Sequence, residues 1–177
     1  METMDAIRNR KSVRSYTGEP VTKDELDQVL AAAQASPAAM GSYDKLHLTV
    51  ITNPEILAEI DAAGAAMFNN PDIPHPLYGA PQLVLVSAQI APGRENAMHS
   101  TAAMIVHNMS LAATELGVGS CDIWGCIAAA NTKPALIAKL KLPEGFTACC
   151  AMTLGKTNET FPARTFPADR IAISEIA

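Results

Sequence analysis

QLVLVSA, residues 82–88, is the most informative segment for the fold of this 177-residue chain. It consists mostly of apolar residues and contains neither glycine nor proline, which predicts a central strand buried on both faces. Two other runs, LHLTVIT at 46–52 and FTACCAMTL at 146–154, predict further strands before and after it.

Helical patterns separate these strands. The clearest begins at Thr22, where Thr22 and Glu25 predict a capping box that Ser36-Pro37 brings to an end. A long helix is predicted from about residue 95 to 116, with Gly117 as its C-terminal cap. Shorter helices are expected near the N-terminus, after Asn53-Pro54, and at about 133–140.

The resulting order, α-α-β-α-β-α-α-β, predicts an α+β or α/β sandwich with a few core strands. It lacks the strict alternation of a Rossmann domain. No internal repeat or linker interrupts the sequence, so residues 1–177 are expected to form a single domain. Residues 155–177 are expected to form an extended C-terminal arm.

Composition excludes several classes of function. Hydrophobic residues make up 49% of the chain and the net charge is −5, so no overall basic field favours nucleic acid or an anionic membrane. The four cysteines have no zinc-site spacing, so we expect no metal and predict buried free thiols in a reducing compartment. The N-terminus lacks a signal-peptide pattern, and we expect a cytoplasmic protein.

One segment concentrates positive charge in this acidic chain: Arg10-Lys11-Ser12-Val13-Arg14. Arginine holds phosphate oxygens in bidentate fashion, and a serine hydroxyl adds one more donor. The segment is therefore a candidate phosphate site. The alternative is a solvated basic turn.

Three later segments complete a pattern. Ser36-Pro37-Ala38-Ala39-Met40-Gly41-Ser42-Tyr43 follows the capped helix, Gly117 to Gly125 (GVGSCDIWG) follows the long helix, and Pro162-Ala163-Arg164 follows the last strand. In this order, together with the Ile-x-x-Arg-x-Ser-x-Arg start, they resemble the FMN-dependent nitroreductase family. The resemblance implies a central, mostly antiparallel sheet flanked by helices, and an intertwined homodimer with flavin at the subunit interface.

The resemblance also implies roles for individual residues. Arg10, Ser12 and Arg164 would bind the FMN phosphate, Arg14 would contact the flavin edge, and Lys11 is a weaker member of this set. Pro37, Ala38, Ala39, Met40 and Gly41 would reach the partner's flavin, while Ile123, Trp124 and Gly125 would line the flavin near N5. No protein side chain is expected to act as a catalytic group, because flavin N5 carries the chemistry.

The implied activity is an FMN-dependent oxidoreductase that takes hydride from NADH or NADPH. It would pass the hydride to a small acceptor, such as a nitroaromatic or a quinone, by a ping-pong mechanism. A different flavin reaction on the same scaffold, of the flavin destructase or dehalogenase type, stays open. So does a flavin-binding or regulatory protein with little turnover, because Gly41 and Tyr43 replace the family's usual Asn and Gln. A DNA-binding helix-turn-helix formed by the capped helix and the Ser36-Pro37 turn is disfavoured by the net negative charge and by the apolar strands.

Overall fold

A computed structural model of the chain describes residues 1–167 and 169–176. These residues form one four-stranded sheet, and every neighbouring pair of strands is antiparallel. The strands are β1 (Leu46–Ile51), β2 (Gln82–Gln89), β3 (Gly119–Ile123) and β4 (Phe146–Gly155). Their spatial order is β1-β2-β4-β3, so the last strand in sequence lies inside the sheet.

Helices cover both faces of the sheet. The described residues form α1 (Thr3–Asn9), α2 (Lys23–Gln34), α3 (Pro54–Phe68), α4 (Glu95–Glu115), α5 (Gly125–Asn131) and α6 (Pro134–Lys139). Helices α2 and α4 contribute to one core cluster, and α3, α5 and α6 contribute to the other. Residues 83–86 of β2 are fully buried, as expected for a strand covered on both faces. The predicted α+β class with an antiparallel sheet is confirmed.

The predicted order of elements was incomplete. The structure adds strand β3 and helix α5. Both lie between Gly117 and the helix predicted from about residue 133, a segment for which the sequence predicts only a glycine-containing turn. Among the described strands β3 pairs with β4 alone. On its other side, the backbone N–H of Val13 donates to the carbonyl of Ser120 at 2.8 Å. The strand is therefore held by partners that are distant in sequence.

Strand β4 contains a β-bulge. Val86 pairs with Cys150 and the next residue, Ser87, pairs with Ala148, so Cys149 is the extra residue on β4. Normal alternation would place Cys149 and Cys150 on opposite faces of the sheet. Both instead lie in the core cluster under α2 and α4, while Ala148 and Ala151 lie in the other cluster.

The predicted state of the cysteines is confirmed: Cys121, Cys126, Cys149 and Cys150 are all free and buried. After Gly155, no further helix or strand is found in residues 156–167 and 169–176. Within those same limits on the described chain, no helix is both long and apolar enough to span a bilayer.

Glu25 joins helix α2 to the end of the sheet. The predicted capping box is present: Thr22 N donates to Glu25 Oε2 at 2.7 Å, and Thr22 Oγ1 accepts from Glu25 N. The same carboxylate accepts from Lys156 Nζ at 2.6 Å, just beyond β4. The hydrogen bond from Lys156 is the largest of the effects that lower the pKa of Glu25 below its ordinary value.

We expect Glu25→Gln to lower the free energy of unfolding by about 0.2–1 kcal/mol near neutral pH, because glutamine can still accept from Thr22 N but lacks the charge that pairs with Lys156. Because the folded-state pKa of Glu25 is lowered, its contribution is complete above the ordinary carboxyl pKa and is lost as pH falls toward the folded value. Denaturation midpoints measured from pH 7 to pH 3 should therefore converge for wild type and Glu25→Gln on acidification. If the two midpoints differ by the same amount from pH 7 to pH 3, the charge of Glu25 does not contribute to stability.

Candidate functional site

The predicted basic segment and the predicted tryptophan turn meet at one cavity of about 450 Å³. Ser12 and Arg14 come from the segment before α2, and Ile123, Trp124 and Gly125 come from the junction of β3 and α5. The end of α3 and the loop after it supply another wall, with Phe68, Asn70, Ile73, Pro76 and Tyr78. Cys121, Asp122 and Cys126 complete the lining. Cavities of this size hold small molecules or cofactors.

The backbone explains why Ser12 and Arg14 face the cavity. Val13, between them, is fully buried, and its N–H donates to Ser120 on β3. In an extended segment alternate side chains point in opposite directions, so burying Val13 turns Ser12 and Arg14 outward. Burial raises the pKa of the Cys121 thiol at the same place, while the Ser12 hydroxyl and the charges of Arg14 and Arg10 oppose that rise.

Arg14 is held by the loop after α3. Its Nε donates to the hydroxyl of Tyr78 at 3.3 Å, and its guanidinium carbon lies 5.7 Å from the centre of the Tyr78 ring. The backbone N–H of Arg14 donates to Glu159 Oε1 at 3.1 Å. The Arg14 guanidinium carries a positive charge at the cavity. Among the described residues, no carboxylate lies within ion-pair distance of it.

Arg164 folds back onto Arg10. The Arg164 guanidinium donates to the carbonyl of Arg8 at 3.1 Å and to the carbonyl of Arg10. Burial first, and then the like charges of Arg10 and Arg170, lower the pKa of Arg164. The N-terminal segment and the C-terminal arm therefore bring several positive charges together, and the predicted role of Arg10 and Arg164 toward a phosphate stays a prediction.

Lysines and arginines differ in their partners. Lys11 forms an ion pair with Glu159 at 2.6 Å and lies 5.6 Å from the centre of the Phe161 ring. In the part of the chain that the structure describes, the carboxylate ion pairs involve lysines, His75 and the N-terminus but no arginine. Arg10, Arg14 and Arg164 therefore carry positive charge without a carboxylate partner among the described residues, whereas Lys11 has one.

The tryptophan turn is shaped by Gly125 and Phe68. A β-carbon on Gly125 would lie 2.4 Å from the Phe68 ring, so only glycine allows this approach without movement. Trp124 is the N-cap of α5 and is 65% exposed, although it is the only tryptophan in the sequence. The turn therefore places a large aromatic side chain at the cavity mouth instead of in the core.

The segment from Pro37 to Gly41 does not line this cavity within one chain. Its backbone is fixed to helix α4, where Thr101 Oγ1 accepts from the N–H of Ala39 at 3.2 Å. Met40 is 69% exposed and, like Gly41, has a positive φ. Ala38 begins this turn in extended conformation. The predicted role of Pro37, Ala38, Ala39, Met40 and Gly41 toward a partner's flavin stays a prediction.

The sequence patterns missed the anchor of the cavity wall. Asp61 on α3 accepts from the backbone N–H of Leu77 at 2.7 Å and contacts His75 Nδ1 at 2.9 Å. Both bonds tie the loop that carries Tyr78 to the helix below it. A helical aspartate followed by a proline-rich loop gives no signal of this contact, because the two are joined only in three dimensions.

The family can now be assigned. A sequence model of the nitroreductase family matches residues 7–156, which include the basic segment, the tryptophan turn and all four strands. The chain belongs to the nitroreductase family. The predicted family resemblance is confirmed.

Individual relatives differ in how much of this chain they cover. A Methanothermobacter thermautotrophicus protein described as an NADH dehydrogenase/NAD(P)H nitroreductase is 28% identical over 99% of this chain and 88% of its own. FMN reductase [NAD(P)H] of Bacillus subtilis is 37% identical, but over only 29% of this chain and 19% of that protein. A nitroreductase with bound FMN from Bacteroides fragilis superposes with a TM-score of 0.78, at 28% identity over 99% of this chain and all of that chain.

Proposed function

We propose that this nitroreductase-family chain is an FMN-dependent oxidoreductase that takes hydride from NADH or NADPH and reduces small electron-poor acceptors. The observation that carries the proposal is the meeting of Ser12 and Arg14 with Ile123, Trp124 and Gly125 at one cavity. The Bacteroides fragilis relative with bound FMN has the same fold, and names of other relatives include NAD(P)H reductases.

The residues present fit FMN in the chemistry of their donors. A phosphate dianion needs donors and positive charge without competing carboxylates. Arg10 and Arg164 lie near each other and provide that charge, and Ser12 follows Arg10 two residues later. An aromatic ring system needs flat apolar walls, which Ile123, Trp124 and Phe68 supply. We assign the phosphate to Arg10 and Arg164 and the ring system to the cavity of about 450 Å³.

The chemistry that FMN supplies when bound is the reversible acceptance of a hydride. The chain contributes binding and electrostatics. Arg14, held by Tyr78, places a fixed positive charge at the cavity wall, which stabilises negative charge that develops on a bound group. The apolar side chains around it exclude water from part of the cavity and strengthen that interaction.

A homodimer is part of the proposal. Large apolar side chains are exposed on the single chain near the cavity and on α4, including Trp124 at 65% and Met104 at 41%. A second copy that covers them would remove apolar surface from water and bring the Pro37–Gly41 segment toward the partner's cavity. Sedimentation analysis should then give twice the mass of one chain.

We also place the protein in the cytoplasm, where free thiols persist.

The visible spectrum of the purified protein tests the function. We expect a yellow protein, or a colourless one that turns yellow on taking up FMN, and loss of the visible absorption when NADH or NADPH is added without oxygen. Adding a nitroaromatic or a quinone should restore the absorption. Protein that takes up no FMN would contradict the proposal.

A second outcome would favour a flavin-binding protein with little turnover. Tyr43 stands where the family's glutamine is usual, and its hydroxyl donates to the carbonyl of Ser36 in its own chain at 3.3 Å. Gly41 offers no side chain at all. FMN uptake without bleaching by either nicotinamide nucleotide would support that function over the oxidoreductase.

A further inference from the structure

A second, smaller cavity lies beside the first and has two cysteines among its lining residues. Its volume is about 170 Å³, and it shares Asp122, Ile123 and Trp124 with the larger cavity. Cys149 and Cys150 line it from strand β4, and both are at least nine-tenths buried. The proposed hydride transfer uses neither thiol.

The β-bulge is what makes this arrangement possible. Consecutive residues of a regular strand point to opposite faces, so adjacent cysteines normally have separate surroundings. With the extra residue at Cys149, both cysteines belong to the core cluster that includes α4, and both line the same cavity. The outer wall of that cavity comes from His99, Ala103 and Val106 of α4.

Both thiols are reduced, and both are protonated near neutral pH. Both cysteines are free of disulfide bonds. Burial raises the pKa of Cys149 to about 11 and that of Cys150 to about 12, and the charge of a Cys149 thiolate adds to the rise at Cys150. Reagents that need a thiolate are therefore expected to react slowly at these positions in the folded protein.

Two thiols alone do not make a metal site of ordinary coordination. In residues 1–167 and 169–176, no group of three or more His, Cys, Asp or Glu side chains is arranged to hold a metal ion. A trivalent arsenical with one organic substituent has a different requirement. It brings its own third ligand and needs only two soft sulfur donors from the protein.

We propose that Cys149 and Cys150 form a dithiol site for monosubstituted trivalent arsenicals. An arsenoxide, R–As=O, condenses with both thiols: two As–S bonds form, the As=O bond and two S–H bonds break, and one water leaves. Arsenic stays trivalent, so the step needs neither an oxidant nor a reductant. The proposal does not depend on the proposed FMN chemistry.

The cavity also fits the organic substituent. An apolar cavity of about 150 Å³ accommodates a benzene-sized ring, and this one has about 170 Å³. Ala103, Val106 and Ile123 supply apolar contacts beside the thiols. Trp124, the only tryptophan in the sequence, borders the same space, so its fluorescence reports directly on an occupant.

Phenylarsine oxide is the probe that tests the site. The folded protein is treated with the probe and freed of excess by gel filtration, and its intact mass and Trp124 fluorescence are then measured. We expect one phenylarsenic group per chain and a change in fluorescence, both reversed by a dithiol such as dimercaptopropanol. Cys149→Ala and Cys150→Ala should each lose stoichiometric uptake, whereas Cys126→Ala, which removes a thiol of the larger cavity, should keep it.

A second measurement keeps the test decisive if the alanine variants fail to fold. The treated wild-type protein is unfolded and alkylated, and its cysteines are mapped by mass spectrometry. Protection of Cys149 and Cys150, with alkylation of Cys121 and Cys126, supports the proposal. Absence of uptake by the folded protein, or protection of Cys121 and Cys126 instead, would overturn it.

Discussion

Replacement of Arg10 or Arg164 by alanine is expected to weaken FMN binding by about 10- to 100-fold. Each arginine offers charge-assisted hydrogen bonds worth about 1.5–3 kcal/mol, and about 1.4 kcal/mol corresponds to a factor of ten in affinity. Since neither arginine has a carboxylate partner among the described residues, no internal ion pair competes with the phosphate. Quenching of FMN fluorescence on titration with apoprotein measures the effect.

Arg94→Ala is the matched control for these variants. Arg94 also lacks an ion pair in the described chain, but it lies at the start of α4 and lines a different cavity. Its FMN affinity should equal that of wild type. If Arg10→Ala and Arg164→Ala also bind FMN as wild type does, the phosphate assignment is wrong, whatever the remaining activity. If all three variants lose affinity equally, overall charge and not a local site controls binding.

Asp61→Ala is expected to lower the free energy of unfolding by about 1–3 kcal/mol, the cost of leaving a buried donor without its acceptor. The N–H of Leu77 loses its acceptor at 2.7 Å, and His75 loses its contact at 2.9 Å. Because the same loop carries Tyr78, which holds Arg14, FMN affinity should fall as well. Urea denaturation of the apoprotein and FMN titration measure the two effects separately.

Asp72→Ala provides the comparison for Asp61→Ala within the same loop. Asp72 is exposed, and only its backbone N–H takes part in a described hydrogen bond, to Asn70. That variant should keep wild-type stability to within about 0.5 kcal/mol, as surface substitutions usually do. Equal stability of the two variants would show that Asp61 does not anchor the cavity wall.

Local signals in the sequence were enough for much of the fold. Thr22 and Glu25 predict a capping box, and both of its hydrogen bonds are present. The long helix predicted to 116 ends at Glu115, and the three predicted strands match β1, β2 and β4 to within one or two residues. These elements can be predicted from capping residues, apolar periodicity and β-branched runs within their own segments.

Strand β3 and helix α5 could not be predicted in this way. Residues 119–123 (GSCDI) include glycine, serine and aspartate, which are poor strand formers, and the strand exists because β4 and the Val13 segment supply its hydrogen bonds. Helix α5 begins at Gly125, with no capping side chain at Trp124. Both elements form because of tertiary contacts, and the periodicity of the sequence does not predict such contacts.

The candidate site likewise contains residues that local motifs indicate and contacts that only the three-dimensional structure reveals. Ser12, Arg14, Ile123, Trp124 and Gly125 were chosen from ordered motifs, and the structure brings them to one cavity. The pairing of Lys11 with Glu159 and the anchoring of the Tyr78 loop by Asp61 join segments without any shared local pattern. The roles of all these residues in FMN binding stay predictions until FMN affinities are measured.

The position of β4 has a consequence for how the protein is made. Strand β2 needs β1 on one side and β4 on the other, yet β4 is the last strand to leave the ribosome. At about 5–20 residues per second, the interval between synthesis of β2 and of β4 lasts several seconds. Throughout that interval the apolar nascent strand has one open edge, so we expect chaperones to hold this chain mainly between the emergence of residues 89 and 155.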